Sequence, residues 1–215
     1  GPPRGRDYLR GAGRARRRTV SVSLPSAVKR RLVYVSGTGY PALYLLGLAT
    51  YEQLQLLLVA SSVVALALEV IRLFVGLDWR IFDELTREYE QDNLAGYALY
   101  IFGMTVAVLA FGPRVSIPAM LMLTIADPIS GLAGSGELGV KATHTLLLTF
   151  GVCLLITSLS GLPLVAAVLG ALAATLADGM KPIVAGYVID DNITIPVVSA
   201  VVMYLALQYL PTVTL

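Results

Sequence analysis

Residues 54–76 read LQLLLVASSVVALALEVIRLFVG, and this stretch decides the class of fold. From Leu54 to Leu68 no charge interrupts the apolar run, and its only polar side chains are Gln55, Ser61 and Ser62. A helix needs roughly 20 mostly apolar residues to cross the hydrocarbon core of a bilayer. Working outward, stretches 32–50, 95–112, 115–133, 143–160, 162–178 and 193–210 meet the same requirement, although the third to fifth spans carry Gly and Thr.

The whole chain agrees with this reading. Of its 215 residues 56% are hydrophobic and 14% charged, with a mean hydropathy of +0.75. A soluble domain carries about 25% charged residues, so this chain lacks the polar surface to cover a globule in water. The expectation is an all-α fold, a polytopic transmembrane bundle of about seven spans in the lipid bilayer of the cell or an endomembrane. Cys153 and His144 are the only residues of their kinds. An intramolecular disulfide, a Cys-rich zinc site and a two-His metal motif are thereby excluded, leaving hard cations held by carboxylates.

Charge sets the expected orientation. Residues 1–31 hold ten of the sixteen Lys and Arg, so residues 1–28 read as a basic, disordered cytoplasmic tail before a transmembrane catalytic domain at 29–215. By the positive-inside rule the N-terminus is cytoplasmic. The outward connections near 51–53, 112–114 and 161–162 contain only Glu52 and Arg114 as charges. The remaining charges fall on the tail, the inward ends of helices or the inward loops 77–94, 134–142 and 179–192.

Several residues on that inward side carry possible chemistry. Asp127 ends the apolar run Leu121–Ala126, and a carboxylate inside a span is a functional candidate because its insertion costs about 2.5–3.5 kcal/mol. Pro128 behind it also permits a simple helix start. Gly131, Gly134, Gly136 and Gly139 follow, suited either to close approach of a phosphate or to helix packing. Lys141 then fits phosphate binding or interfacial snorkelling. The run Asp190-Asp191-Asn192-Ile193-Thr194-Ile195-Pro196 opens the last span. Asn192 is a good N-cap, but two adjacent carboxylates exceed what capping needs, and a divalent cation would relieve their repulsion. Acids holding Mg²⁺ beside a Lys and a Gly-rich loop suit a nucleoside triphosphate.

These residues resemble the family of CTP-dependent polyprenol and lipid kinases, which includes dolichol kinase, phytol kinase and a diacylglycerol kinase. The similarity lies in Asp127 with Gly131 and Gly134, in Lys141, and most specifically in Asp190-Asp191-Asn192. Arg30-Arg31 with Gly37, Glu69 with Arg72, and Arg87-Glu88-Tyr89-Glu90 resemble further motifs, so the likeness covers residues 29–210. Tyr34 stands where the family has His, Lys141-Ala142-Thr143-His144-Thr145 replaces its Lys-Ser-x-Glu-Gly type loop, and Asp178 lies near an expected Glu.

The resemblance implies a kinase that moves the γ-phosphoryl of CTP to a long isoprenoid alcohol. Catalysis would fall to Asp127, Lys141 and Asp191. Nucleotide binding would fall to Gly131, Gly134, Lys141, Asn192, Arg72 and Arg87, and Mg²⁺ binding to Asp127, Asp190 and Asp191. Glu69 and Arg72, one helical turn apart, can instead pair with each other. A cytidylyltransferase acting on a lipid phosphate would use similar groups. A transporter ranks behind both, because the Asp-Pro and Asp-Asp-Asn segments do not repeat each other. No nucleic-acid partner is expected, and the oligomeric state stays open.

Overall fold

The computed structural model describes residues 35–75, 94–134, 140–180, 183–184 and 187–210. The basic tail, Arg87 with its acidic neighbours, Gly136 and Gly139 lie outside them. The described chain is helical apart from a two-residue ladder. Helix α1 covers Gly39–Leu45, and α2 covers Tyr51–Val70 and runs on through a π turn at Ile71–Val75. Helix α3 is Gly96–Ala110. Helix α4, Pro113–Leu121, continues through a second π turn, Met122–Ala126, into α5, Asp127–Ala133. Then come α6 at Thr143–Leu159 and α7 at Leu164–Gly179. Strands β1, Ile183–Val184, and β2, Tyr187–Val188, pair antiparallel before α8, Asp191–Tyr209.

Three of these helical stretches, Tyr51–Phe74, Pro113–Ala133 and Asp191–Tyr209, are long and apolar enough to cross a membrane. Helices α3, α6 and α7 are apolar but shorter. The expected first span, 32–50, begins in residues outside the described ones; its described part is helical at 35–36 and again in α1, which stops at Leu45 rather than at 50. The reason is Gly47, whose φ of +69° suits glycine. Its N–H donates to the carbonyl of Tyr44, and that of Leu48 to the carbonyl of Leu43. This is the Schellman arrangement that closes a helix C-terminus. The same device at Gly161, φ +68°, ends α6 with bonds from Gly161 to Ser158 and from Leu162 to Thr157.

Helix α2 begins at a capping box in which the Thr50 hydroxyl accepts from the N–H of Gln53, and the Gln53 side chain accepts from the N–H of Thr50. Helix α8 is central, packing on α7, α3, α4 and the second π turn. Met104, Met120, Met122, Leu123, Ile195 and Met203 fill the interior. At Gly170 an added Cβ would collide with the Met203 side chain, so this glycine lets α7 and α8 close together. The outward surfaces are apolar as well: Leu56, Val63 and Leu66 along α2, and Leu147, Leu155 and Leu159 along α6, are exposed. Apolar surface of this extent marks a face that meets something other than water.

One set of the buried polar groups, which includes every buried acid but Asp190 among the described residues, shares a single location. Glu69, Ser130, Thr145, Asp178, Asp191 and Asn192 are all buried, and all sit where one helix ends or the next begins on the same side of the bundle. Two hydrogen bonds fix this shared end. The N–H of Ala95, just before α3, donates to Glu69 near the end of α2 at 3.0 Å, and that of Lys141, just before α6, donates to the carbonyl of Gly179 at 3.2 Å.

Candidate metal and phosphate site

Three carboxylates meet at this end. Asp127, Asp178 and Asp191 each offer an oxygen, and these oxygens lie within 4.8 Å of one another. They come from α5, the last turn of α7 and the first turn of α8. Asp127 reaches the site because the chain widens into the π turn just before it. Its N–H donates to the carbonyl of Met122, five residues back. Pro128 has no N–H and its ring would crowd a carbonyl four residues back, which the wider turn relieves.

Asp178 and Asp191 differ in their helix fields. Asp191 stands at the start of α8, where the dipole favours a negative charge, whereas Asp178 stands at the end of α7, where the dipole opposes it. Asp178 has compensation from other groups. Lys141 Nζ lies 2.5 Å from its Oδ1, and the Ser130 hydroxyl donates to its Oδ2 at 2.6 Å. Lys141 also donates to Ser130 Oγ at 2.9 Å, closing a small ring. The ammonium thus turns inward onto a buried acid, which overrides snorkelling: its side chain is 18% exposed, that of Asp178 1%.

The donor set fits a hard divalent cation. With all three carboxylates ionised, as metal ligands must be, the one ammonium leaves two negative charges in one small region, and one such ion would balance them. Oxygen donors are what Mg²⁺ selects. Two further polar atoms, Thr124 Oγ1 and Asn192 Oδ1, are buried without a hydrogen-bond partner among the described residues. They belong to the segments that carry Asp127 and Asp191.

The other expected site residues are placed as follows. Asp190 supplies the cap of α8: its Oδ1 accepts from the N–H of Asn192 at 2.9 Å and from Asn192 Nδ2 at 2.6 Å. The cap is therefore Asp190, two residues earlier than Asn192, and Asp178 stands with Asp127 and Asp191 in the carboxylate group where Asp190 was expected. Arg72 Nη2 lies 2.7 Å from Glu69 Oε2 and its Nε 3.1 Å from Oε1, a two-pronged pair. Glu69 Oε2 also receives the Ala95 N–H at the start of α3, so this pair joins α2 to α3. Gly131 lies within α5, and Gly134 ends it by donating to the Ser130 carbonyl. A Cβ at Gly134 would make only ordinary contacts. His144 is exposed on the first turn of α6.

Asp178 and Ser130 are the site residues that sequence reasoning missed as such. Asp178 ends an alanine-rich run and resembled any acid at a helix end. Its signal was burial in an apolar helix, the same argument that singled out Asp127. Compared with family models, curated proteins and solved structures, the chain matches none.

Proposed function

We infer that this chain is a membrane kinase, transferring the γ-phosphoryl of CTP to the hydroxyl of a long isoprenoid alcohol such as dolichol. The observation that carries the reading is the meeting of Asp127, Asp178 and Asp191 with Lys141 at one end of an otherwise apolar bundle. Phosphoryl transfer asks a protein chiefly for positioning and charge neutralisation. A buried set of hard oxygen donors beside an ammonium suits both.

Asp127, Asp178 and Asp191 would hold Mg²⁺, which supplies neutralisation of phosphate oxygens when bound. Lys141 adds a positive charge beside the triphosphate, kept in place by Ser130 and Asp178. One carboxylate orients the alcohol and takes its proton. The alcohol oxygen forms its bond to the γ-phosphorus while the bond from that phosphorus to the β-phosphate oxygen breaks, and CDP leaves. Helices long enough to cross a bilayer and the exposed leucines and valines support a membrane setting, with the lipid tail among the helices. The basic N-terminal stretch supports placing the polar end in the cytoplasm. The choice of CTP and of an isoprenoid alcohol rests on the family resemblance of Asp190-Asp191-Asn192 and its companions.

The test is an assay of the purified chain with γ-labelled CTP, Mg²⁺ and a panel of polyprenols, phytol, geranylgeraniol and diacylglycerol. Label on an isoprenoid alcohol with release of CDP is the expected result. Labelled pyrophosphate released when a lipid phosphate replaces the alcohols would identify a cytidylyltransferase instead, and label on none of the lipids would end the kinase reading.

A further inference from the structure

We propose that Gly103, in the middle of α3, is a positioning residue for the carboxylate site, because it alone allows the first turn of α8 to sit where Asp191 can join Asp127 and Asp178. The inference rests on the cation reading of that site. A Cβ at residue 103 would come 2.5 Å from the backbone oxygen of Asn192, 2.9 Å from Pro196 Cγ and 3.1 Å from Ile193 Cα. Two of these three neighbours are backbone atoms of the turn that begins at Asp191, so they cannot step aside like the end of a flexible side chain.

The cause of the close approach is chemical. In an α-helix the Asn192 carbonyl would accept from the N–H of residue 196, but Pro196 has none to give. The carbonyl is released from that bond and lies over Gly103, where only hydrogens on the α-carbon face it. Gly103 and Pro196 thus form a matched pair, one freeing the carbonyl and the other making room for it. Displacing this turn carries Asp191 away from its partners, with no change to any carboxylate.

Gly170 provides the contrast. A Cβ there meets the Met203 side chain, which is flexible, in a part of α8 three turns further on. Gly170→Ala disturbs the packing of α7 on the same helix α8 without touching its first turn.

The experiment is a titration of the full chain in detergent with MgCl₂ and with MnCl₂, following the rise in Tm. Wild type and Gly170→Ala should respond at the same cation midpoint, even if Gly170→Ala starts from a lower Tm. Gly103→Ala should need about tenfold more cation or lose the response, as supporting residues around metal sites commonly do. Gly103→Ala/Pro196→Ala should regain the response, because a restored N–H at residue 196 draws the Asn192 carbonyl back. If Gly103→Ala does not fold, the double variant carries the test, and a double variant equally unfolded overturns the pairing. An unshifted midpoint in Gly103→Ala overturns the role of Gly103 alone. A wild-type chain indifferent to both cations overturns the metal reading and this role with it.

Discussion

At the residue scale, Lys141 and the acids around it can be separated by experiment. Removing one partner of a buried ion pair leaves a charge without compensation, which costs about 3–5 kcal/mol when burial is complete. Asp178 is buried, and beside it stand Asp127 and Asp191, so Lys141→Met should destabilise the cation-free protein strongly. Lys141→Met/Asp178→Asn should recover most of the loss, read as Tm in detergent. Equal stability of Lys141→Met and wild type would mean that the ammonium contributes nothing to the fold. Asp127→Asn should act in the opposite direction, raising Tm without Mg²⁺ by relieving like-charge repulsion while abolishing the Mg²⁺-dependent rise. Asp190→Ala should cost about 1 kcal/mol, the usual loss of an N-cap, and leave the cation midpoint where it is. Asp127, Lys141 and Asp191 were legible from sequence because charged residues inside apolar runs are conspicuous. The capping role of Asp190 was not, because Asp190 and Asp191 are adjacent carboxylates that look equivalent until the helix start fixes which one caps and which one joins Asp127 and Asp178.

At the element scale, the helices were visible as apolar runs, but their ends depended on turn chemistry that hydropathy does not register. Stretch 143–160 became α6 within one residue at its far end, closed by Gly161. Stretch 32–50 lost its later part to the same motif at Gly47, because flanking leucines keep the run apolar while the backbone reverses. The expected start of the last span, 193, moved back to Asp191 once Asp190 was seen to cap it. The π turn at Met122–Ala126 has no hydropathy signature, yet its extra residue sets the direction of everything after it. A residue in an α-helix advances by about 100°, so without the wider turn Asp127 would face elsewhere. The Schellman glycines give a clean test of which devices serve the fold alone. Gly161→Ala forces a side chain into a left-handed conformation that costs roughly 1–2 kcal/mol. It should lower Tm accordingly without moving the Mg²⁺ midpoint, since Gly161 sits at the end of α6 away from Lys141. A moved midpoint would show that the two ends of α6 are coupled.

At the scale of the whole molecule, the buried acids lie at one end because the helices alternate in direction and, among the described residues, each junction at that end carries an acid. The opposite junctions are built differently. There the Tyr51 hydroxyl donates to the carbonyl of Val108 at 2.9 Å and lies 2.7 Å from Ser116 Oγ, neutral groups that tie α2 to the junction between α3 and α4. This division makes the proposed orientation testable as a property of the assembled bundle. Cys153 is 1% exposed, so a Cys153→Ala background removes the single native thiol at a position that label would not reach. Leu94 and Val140 are exposed at the polar end, and Leu48 and Leu159 at the other. Single cysteines at 94 and 140 should react with a membrane-impermeant maleimide only from the cytoplasmic side of sealed vesicles, and those at 48 and 159 only from the outside. Reaction of 94 and 140 from opposite sides would separate α3 from α6 across the bilayer, which the shared end of the bundle does not permit. Reaction of both from outside would keep the bundle but invert it, placing the carboxylates away from cytoplasmic CTP and removing the kinase reading while leaving the cation site intact.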